Sequence, residues 1–118
     1  MPIVQGSTTT FMKNLLNGNE NFTTGTYYIA LYTASANLDN TTTAYTTANE
    51  VVGTGYTAGG KPLAITVTPT IDNTNNLAYI SFSNAVWNPA SFTARGALVY
   101  NCTTKAACFI LNFGSDKT

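Results

Sequence analysis

The apolar residues of this chain switch to a period of two at Thr26 and take it up again in four later segments, which marks the chain as mainly β. From Thr26 to Thr33, Tyr27, Ile29 and Leu31 alternate with Tyr28, Ala30 and Tyr32. Both sets are apolar enough for a central strand. Pro62 to Thr70 alternates most cleanly, Leu63, Ile65 and Val67 against Ala64, Thr66 and Thr68, one core face and one wet face. Prolines at its ends suit an edge or a strand terminus. After the turn signal Asp72-Asn73-Thr74-Asn75-Asn76 comes Leu77 to Phe82, with Ala78, Ile80 and Phe82 as its inward set, and these two strands are expected to form a hairpin. Ala94 to Tyr100 and Ala107 to Phe113 form a last pair, the second alternating Phe109, Leu111 and Phe113 against Cys108, Ile110 and Asn112.

One stretch is helical, Thr10 to Gly18, with Phe11, Met12, Leu15 and Leu16 on one face, Thr8 or Thr10 as cap and Gly18 as the left-handed stop. Trp87, just before the turn starter Asn88-Pro89, reads as a core anchor. The expectation is a single all-β domain over residues 1 to 118, a small antiparallel β-sandwich or barrel with one short N-terminal helix. Residues 1 to 18 form an arm and helix, and residues 34 to 61 a long polar loop without sustained period. Connections of that length are usually functional or disordered. Cys102 and Cys108 flank a hairpin tip, where a disulfide is permitted but not required; without an export signal the reduced state is expected.

Chemistry narrows the function further. Histidine is absent, which removes triads and the His-bearing zinc and iron sites together. Two cysteines without further ligands make a poor zinc site, so no metal and no cofactor is expected. Five Lys plus Arg balance five Asp plus Glu, with no basic run. That leaves no electrostatic footprint for nucleic acid or an anionic membrane, and no apolar run approaches the ~20 residues that span a bilayer. The N-terminus MPIVQGSTTT lacks the features of a signal peptide. The sequons at Asn21, Asn40 and Asn101 are what a chain with thirty-six Thr and Asn residues produces by chance. A paired-carboxylate enzyme would have to use Asp39, Glu50, Asp72 or Asp116, yet these and Glu20 all sit in apparent turns, where solvated charges belong. Gly53-Thr54-Gly55 and Gly59-Gly60-Lys61 lack P-loop spacing and read as turns. The composition favours a docking protein over an enzyme.

Three ordered blocks carry a family resemblance. The segment YYIALYTA at Tyr27 to Ala34 leads into the loop piece TTAYTTANEVVGTGYTAGGKPL; FTARGALVYN and NFGSDKT follow. Within these, Glu50 to Gly60, Thr93 to Ala97 and Phe113 to Lys117 resemble, in wording and order, a family of small structural proteins of tailed bacteriophages. The resemblance runs over most of the chain. It implies a virion component made in the host cytoplasm, and within that class a capsid decoration or cement protein on the capsid surface. Its implied partners are the major capsid protein and copies of itself, with a homotrimer preferred because capsid lattices offer local threefold positions. Members of the family continue for roughly one further strand past Asp116-Lys117-Thr118, so this chain is either a short member or lacks its tail.

Candidate interface residues follow from that role. Tyr45 and Tyr56 interrupt the polar loop and suit either an intermolecular contact or an anchor back onto the sandwich. Ile3 and Val4 suit either β-addition to a neighbour or the domain's own first strand. Arg95, the one charged residue in an expected strand, suits a carboxylate partner, a cover over Trp87, or a subunit interface. The alternative function is a tail or head-fibre module that recognises a host glycan, with Tyr45, Tyr56 and Asn49 as its contacts.

Overall fold

The computed structural model describes residues 3–23, 25–83, 85–87 and 91–117. Pro2 and the Asn88-Pro89 turn lie outside the described residues. Two antiparallel sheets make up the domain: a five-stranded sheet in the order β1-β7-β6-β2-β3 and a two-stranded ribbon β4-β5. The strands are β1 (Gly6–Ser7), β2 (Tyr27–Tyr32), β3 (Lys61–Leu63), β4 (Ile65–Asp72), β5 (Leu77–Phe82), β6 (Ala94–Asn101) and β7 (Ala107–Lys117), with one helix, α1 (Thr9–Leu16). The all-β expectation holds.

The double alternation in Thr26 to Thr33 marks the centre of the large sheet. β2 lies between β6 and β3, in register with β6 from Tyr27↔Asn101 to Tyr32↔Gly96. On one face Ala30, Tyr32, Leu98, Tyr100 and Ile110 build a core with Ile3, Ala36 and Leu38. On the other, Tyr27, Val99 and Cys108 meet Phe11 of the helix, with Phe22, Phe82 and Phe109 packed around them. A third cluster, around Leu31, Val51, Ala94 and Ala97, takes in Tyr56, Trp87, Phe92 and Phe113. Both faces of β2 are therefore covered, one by the arm and the 34 to 61 loop, the other by the helix, the ribbon root and an aromatic edge. Trp87 is half-buried at the rim of this last cluster and not in a central position.

The helix starts where Thr8 caps it: Thr8 Oγ1 accepts from the Phe11 amide at 3.0 Å and donates to the Ala107 carbonyl at 2.8 Å, pinning the helix to β7. Gly18 stops it at φ +75°, a left-handed position that glycine adopts without strain. Of the expected apolar face only Phe11 is buried; Met12, Leu15 and Leu16 stay exposed. Two turns resting on a sheet edge reach the core with one ring, and Phe11 uses it against Phe109 at 4.6 Å between centroids.

Pro62 to Thr70 is not one strand. Lys61–Leu63 pairs with β2 and Ile65–Asp72 pairs with β5, the chain leaving the large sheet at Ala64. The expected hairpin with Leu77–Phe82 does form, but its core face is incomplete: no residue of the ribbon is buried, and Val67 is exposed. Of the ribbon, Phe82 at its root packs against the second cluster, and two register shifts, between Ile65 and Val67 and between Val67 and Thr70, break the strict alternation of β4.

Loop 34 to 61 is ordered by isolated bridges, Ile3 with Leu38, Tyr32 with Glu50, Ala44 with Ala106 and Thr54 with Ser91. Both cysteines are free. They do not face each other across the β6-β7 hairpin, because Val99 pairs with Phe109 and Tyr100 with Ala107, leaving Cys108 as the extra residue of a bulge. Its thiol lies in the core beside Glu20, and burial, then the neighbouring Glu20, pushes it well above the usual thiol range.

Candidate interaction surface

The long loop is held by one carboxylate. Glu50 is 7 % exposed, and its oxygens accept from the Tyr45 hydroxyl at 2.6 Å, the Tyr56 hydroxyl at 2.5 Å and the Gly59 amide at 2.8 Å. Tyr56 closes the arrangement by accepting from the Leu31 amide at 2.9 Å, which ties the loop to β2. The Tyr45 ring stacks on Tyr100 at 4.7 Å, and the Tyr100 hydroxyl donates to the Gly59 carbonyl at 2.7 Å. Burial first, then the hydrogen bond to Glu50, raises the Tyr45 and Tyr56 hydroxyls well above the usual phenol range; Tyr100 is pushed up to about 12, chiefly by burial. Glu50 has a full set of donors and no cation, as a buried carboxylate requires when no salt bridge is at hand.

Glu20 repeats the device on the other face. At 8 % exposure, it accepts from Tyr27 Oη and from Asn101 Nδ2, both at 2.8 Å, and from Asn14 Nδ2 at 3.4 Å. The turn reading of these two glutamates as solvated charges is therefore corrected: both are buried, Glu50 gathering Tyr45, Tyr56 and Gly59 of its own loop and Glu20 reaching Asn101 across the chain. The signal for Glu50 was its position as the lone carboxylate between two tyrosines, Tyr45 and Tyr56, in a loop whose other charges are Asp39 and Lys61 near its ends. The aspartates do sit in turns. Thr41, through hydroxyl and amide, and Asn75, through side chain and amide, hold the Asp39 and Asp72 carboxyls below their usual range. Asp116 meets Arg95 at 3.5 Å on the surface.

The structure thus brings Tyr45 and Tyr56 together on Glu50, with their hydroxyls engaged internally. Asn49, at φ +62°, is a left-handed turn residue whose side-chain amide donates to the Ser35 carbonyl at 3.2 Å. Ile3 is a core residue at 5 % exposure, while Val4 beside it is exposed and its amide donates to the Leu38 carbonyl at 2.8 Å. Ile3 and Arg95, with Ala34 and Asn112, line a small cavity of about 120 Å³. Among the described residues no group of three or more Cys, Asp or Glu side chains converges as a metal site would require.

Several apolar side chains remain open to a partner. Ile71 is 72 % exposed, Tyr79 45 %, and Leu77 and Val67 are exposed with them along the ribbon. Below the ribbon, a groove of about 440 Å³ opens between β5 and the helix, lined mainly by Phe11, Leu15, Phe22, Ile80 and Phe109. At the rim of the third cluster Tyr56, Trp87 and Phe92 lie within 6.3 Å of one another, with Lys61 Nζ 5.5 Å from the Trp87 ring. Lys61 Nζ also donates to the Val86 carbonyl. No helix is long and apolar enough to cross a membrane among the described residues. No family model matches this chain, and no curated protein and no solved structure matches it significantly.

Proposed function

We propose that this chain is a virion structural protein of a tailed bacteriophage, a capsid decoration or cement protein that binds the outside of the major capsid lattice and copies of itself. One observation carries this reading. The three blocks on which the phage resemblance rests are far apart in the sequence, yet they pack against one another: Val51 and Tyr56 from the first, Ala94 and Ala97 from the second and Phe113 from the third all belong to one cluster. Ala94 and Lys117, from the second and third, are also paired across β6 and β7. The resemblance therefore concerns a packing unit rather than scattered surface words. Two further features suit the role. Its long loop is tied rigidly to the sheet through Glu50, and its exposed ribbon binds by shape and apolar contact that salt does not screen, contacts that repetition over a lattice makes strong. The test is the copy number of this chain relative to the major capsid protein in purified particles. A ratio of about one, or a simple fraction set by lattice symmetry, is expected; a few copies per particle, or none, overturns the decoration role.

The half-exposed Tyr56, Trp87 and Phe92 cluster favours a second reading, a tail or head-fibre module that stacks a host sugar on an aromatic face. A glycan array that lights up with this chain and dims with Trp87→Ala would support it; a blank array would remove it.

A further inference from the structure

We infer that this chain pairs with a second copy of itself through the free edge of β5, joining the two-stranded ribbons of both copies into one sheet across a twofold axis. The two sheets have β1, β3, β4 and β5 as their edge strands. Natural proteins blunt such edges with short strands, proline, lysine or bulges, and three of these are blunted. β1 is only Gly6–Ser7 and leads directly to the capped helix. β3 is Lys61–Leu63, with Lys61 and Pro62 in it. β4 contains Pro69 and takes up both register shifts: between Ile65 and Val67, and again between Val67 and Thr70, it advances one residue more than its partners Phe82, Ser81 and Tyr79.

β5 has none of these devices. Leu77–Phe82 contains no proline, glycine or charge, carries no extra residue, and among the described residues has no strand on its outer side. A twofold axis sets each residue opposite the one equally far beyond the axis, so on so short an edge a charge at or beside the axis would lie close to its own copy. From Leu77 to Trp87 there is no Asp, Glu, Lys or Arg, and Leu77 and Tyr79 are exposed apolar side chains that such pairing would cover. The occupant follows by elimination. Self-pairing needs an unblunted edge on the partner; β7 beyond its pairing with β1 carries Gly114, Asp116 and Lys117, which leaves β5 as the one edge among the described residues that qualifies. A threefold ring, which lattice symmetry alone suggests, would need a second and different free edge. Residues directly opposite in an antiparallel pair share a face, so a twofold pair sets one residue opposite itself; in the middle of β5 that residue is Tyr79 or Ile80.

The test is sedimentation velocity of the purified full chain over a concentration series, together with hydrogen exchange at its two ends. A monomer–dimer equilibrium is expected, with amide protection in residues 77–82 rising with concentration and that of β4 unchanged. Tyr79→Lys, which places a charge at or next to the axis, is expected to abolish the dimer at concentrations where the parent is dimeric; Thr68→Lys on the blunted β4 edge leaves it intact. A monomer throughout, a trimer, or a dimer indifferent to Tyr79→Lys overturns the pairing. Should Tyr79→Lys not fold, the exchange pattern of the parent decides: protection gained on β4 or elsewhere, without β5, overturns it. The inference concerns the isolated chain, so its failure would leave the copy-number test of the virion reading untouched.

Discussion

The Tyr56 hydroxyl lies 2.5 Å from Glu50 Oε2 and 2.9 Å from the Leu31 amide, so a single oxygen joins the long loop to the central strand as donor to one and acceptor from the other. Tyr45 donates to the same carboxylate, and the backbone amide that reaches its hydroxyl, that of Gly59, also has Glu50 Oε2 as acceptor at 2.8 Å, so it is not stranded when the Tyr45 hydroxyl is lost. This asymmetry sets an order for their removal. Tyr45→Phe forfeits one hydrogen bond, about 1 kcal/mol, whereas Tyr56→Phe also strands the Leu31 amide and is expected to cost about 2–3 kcal/mol. Glu50→Ala leaves both hydroxyls and the Gly59 amide without their acceptor, on the order of 3 kcal/mol or more. Urea unfolding of the three variants is expected to rank them Tyr45→Phe, Tyr56→Phe, Glu50→Ala in increasing loss; equal losses for the two tyrosines would show that the Leu31 bond contributes nothing.

The tyrosines also set the alkaline limit of the fold. Burial is the first cause of the upward shift at Tyr27, Tyr32, Tyr45, Tyr56 and Tyr100, and Glu20 or Glu50 adds to it at each of the five. A phenol that titrates higher in the folded than in the unfolded chain contributes stability that is complete below the unfolded value of about 10 and is lost as pH rises towards the folded one. Stability is therefore expected to fall from about pH 10 upward. Phenolate absorbance should rise together with the loss of far-ultraviolet circular dichroism, in one cooperative transition. Phenolate formation at all five of these tyrosines while the fold persists would contradict the desolvation that raises them.

How far these features were legible in the sequence depends on the signal each one leaves. β2 and β6 could be read because the period of two extends over both faces of the strands. The β4-β5 hairpin could be read because Asp72 to Asn76 is strong turn chemistry. The split at Ala64 could not, since Pro62 to Thr70 alternates through it without a break. Nor could the core role of Ala36, Leu38 and Val51, single apolar residues in a Thr- and Asn-rich run whose burial comes from isolated bridges rather than from any period. The helix misled for the opposite reason: Met12, Leu15 and Leu16 form a convincing apolar face that the sheet edge does not cover. Glu20 was invisible as a core residue because a glutamate among polar residues is ordinarily solvated, and Glu50 left only its place between Tyr45 and Tyr56; the finished fold places the tyrosine hydroxyls around them.

The two cysteines should be chemically distinct. Cys108 is buried in the bulge of β7 with its thiol raised by burial and by Glu20, while Cys102 is half-buried just beyond β6. Since the thiolate is the reactive form, a maleimide at neutral pH is expected to label Cys102 in the folded protein and Cys108 only after denaturant is added. Mass spectrometry of the labelled peptides reads this directly. Equal labelling of both under native conditions would mean that the β6-β7 end opens readily.

Gly60 is the glycine that the fold can least replace. It ends the long loop at φ +82°, and a Cβ there would lie 1.8 Å from the Ile29 carbonyl oxygen and 2.8 Å from Ala30 Cα, both backbone atoms of the central strand that cannot turn aside. Gly18 is its control, also left-handed at φ +75° but with nothing within 4 Å of an added Cβ. Gly18→Ala therefore carries only the left-handed penalty of about 1–2 kcal/mol. Gly60→Ala adds a backbone collision, which places it among the exceptional substitutions of about 4 kcal/mol or more. Because Gly60 lies directly after the Glu50–Gly59 bond and directly before β3, the substitution is expected to release the whole 34 to 61 loop together with the β2-β3 pairing. Denaturant midpoints for the two variants, with the β2 amides followed by hydrogen exchange, measure the difference. A Gly60→Ala protein no less stable than Gly18→Ala would mean that the loop does not close onto β2 as described.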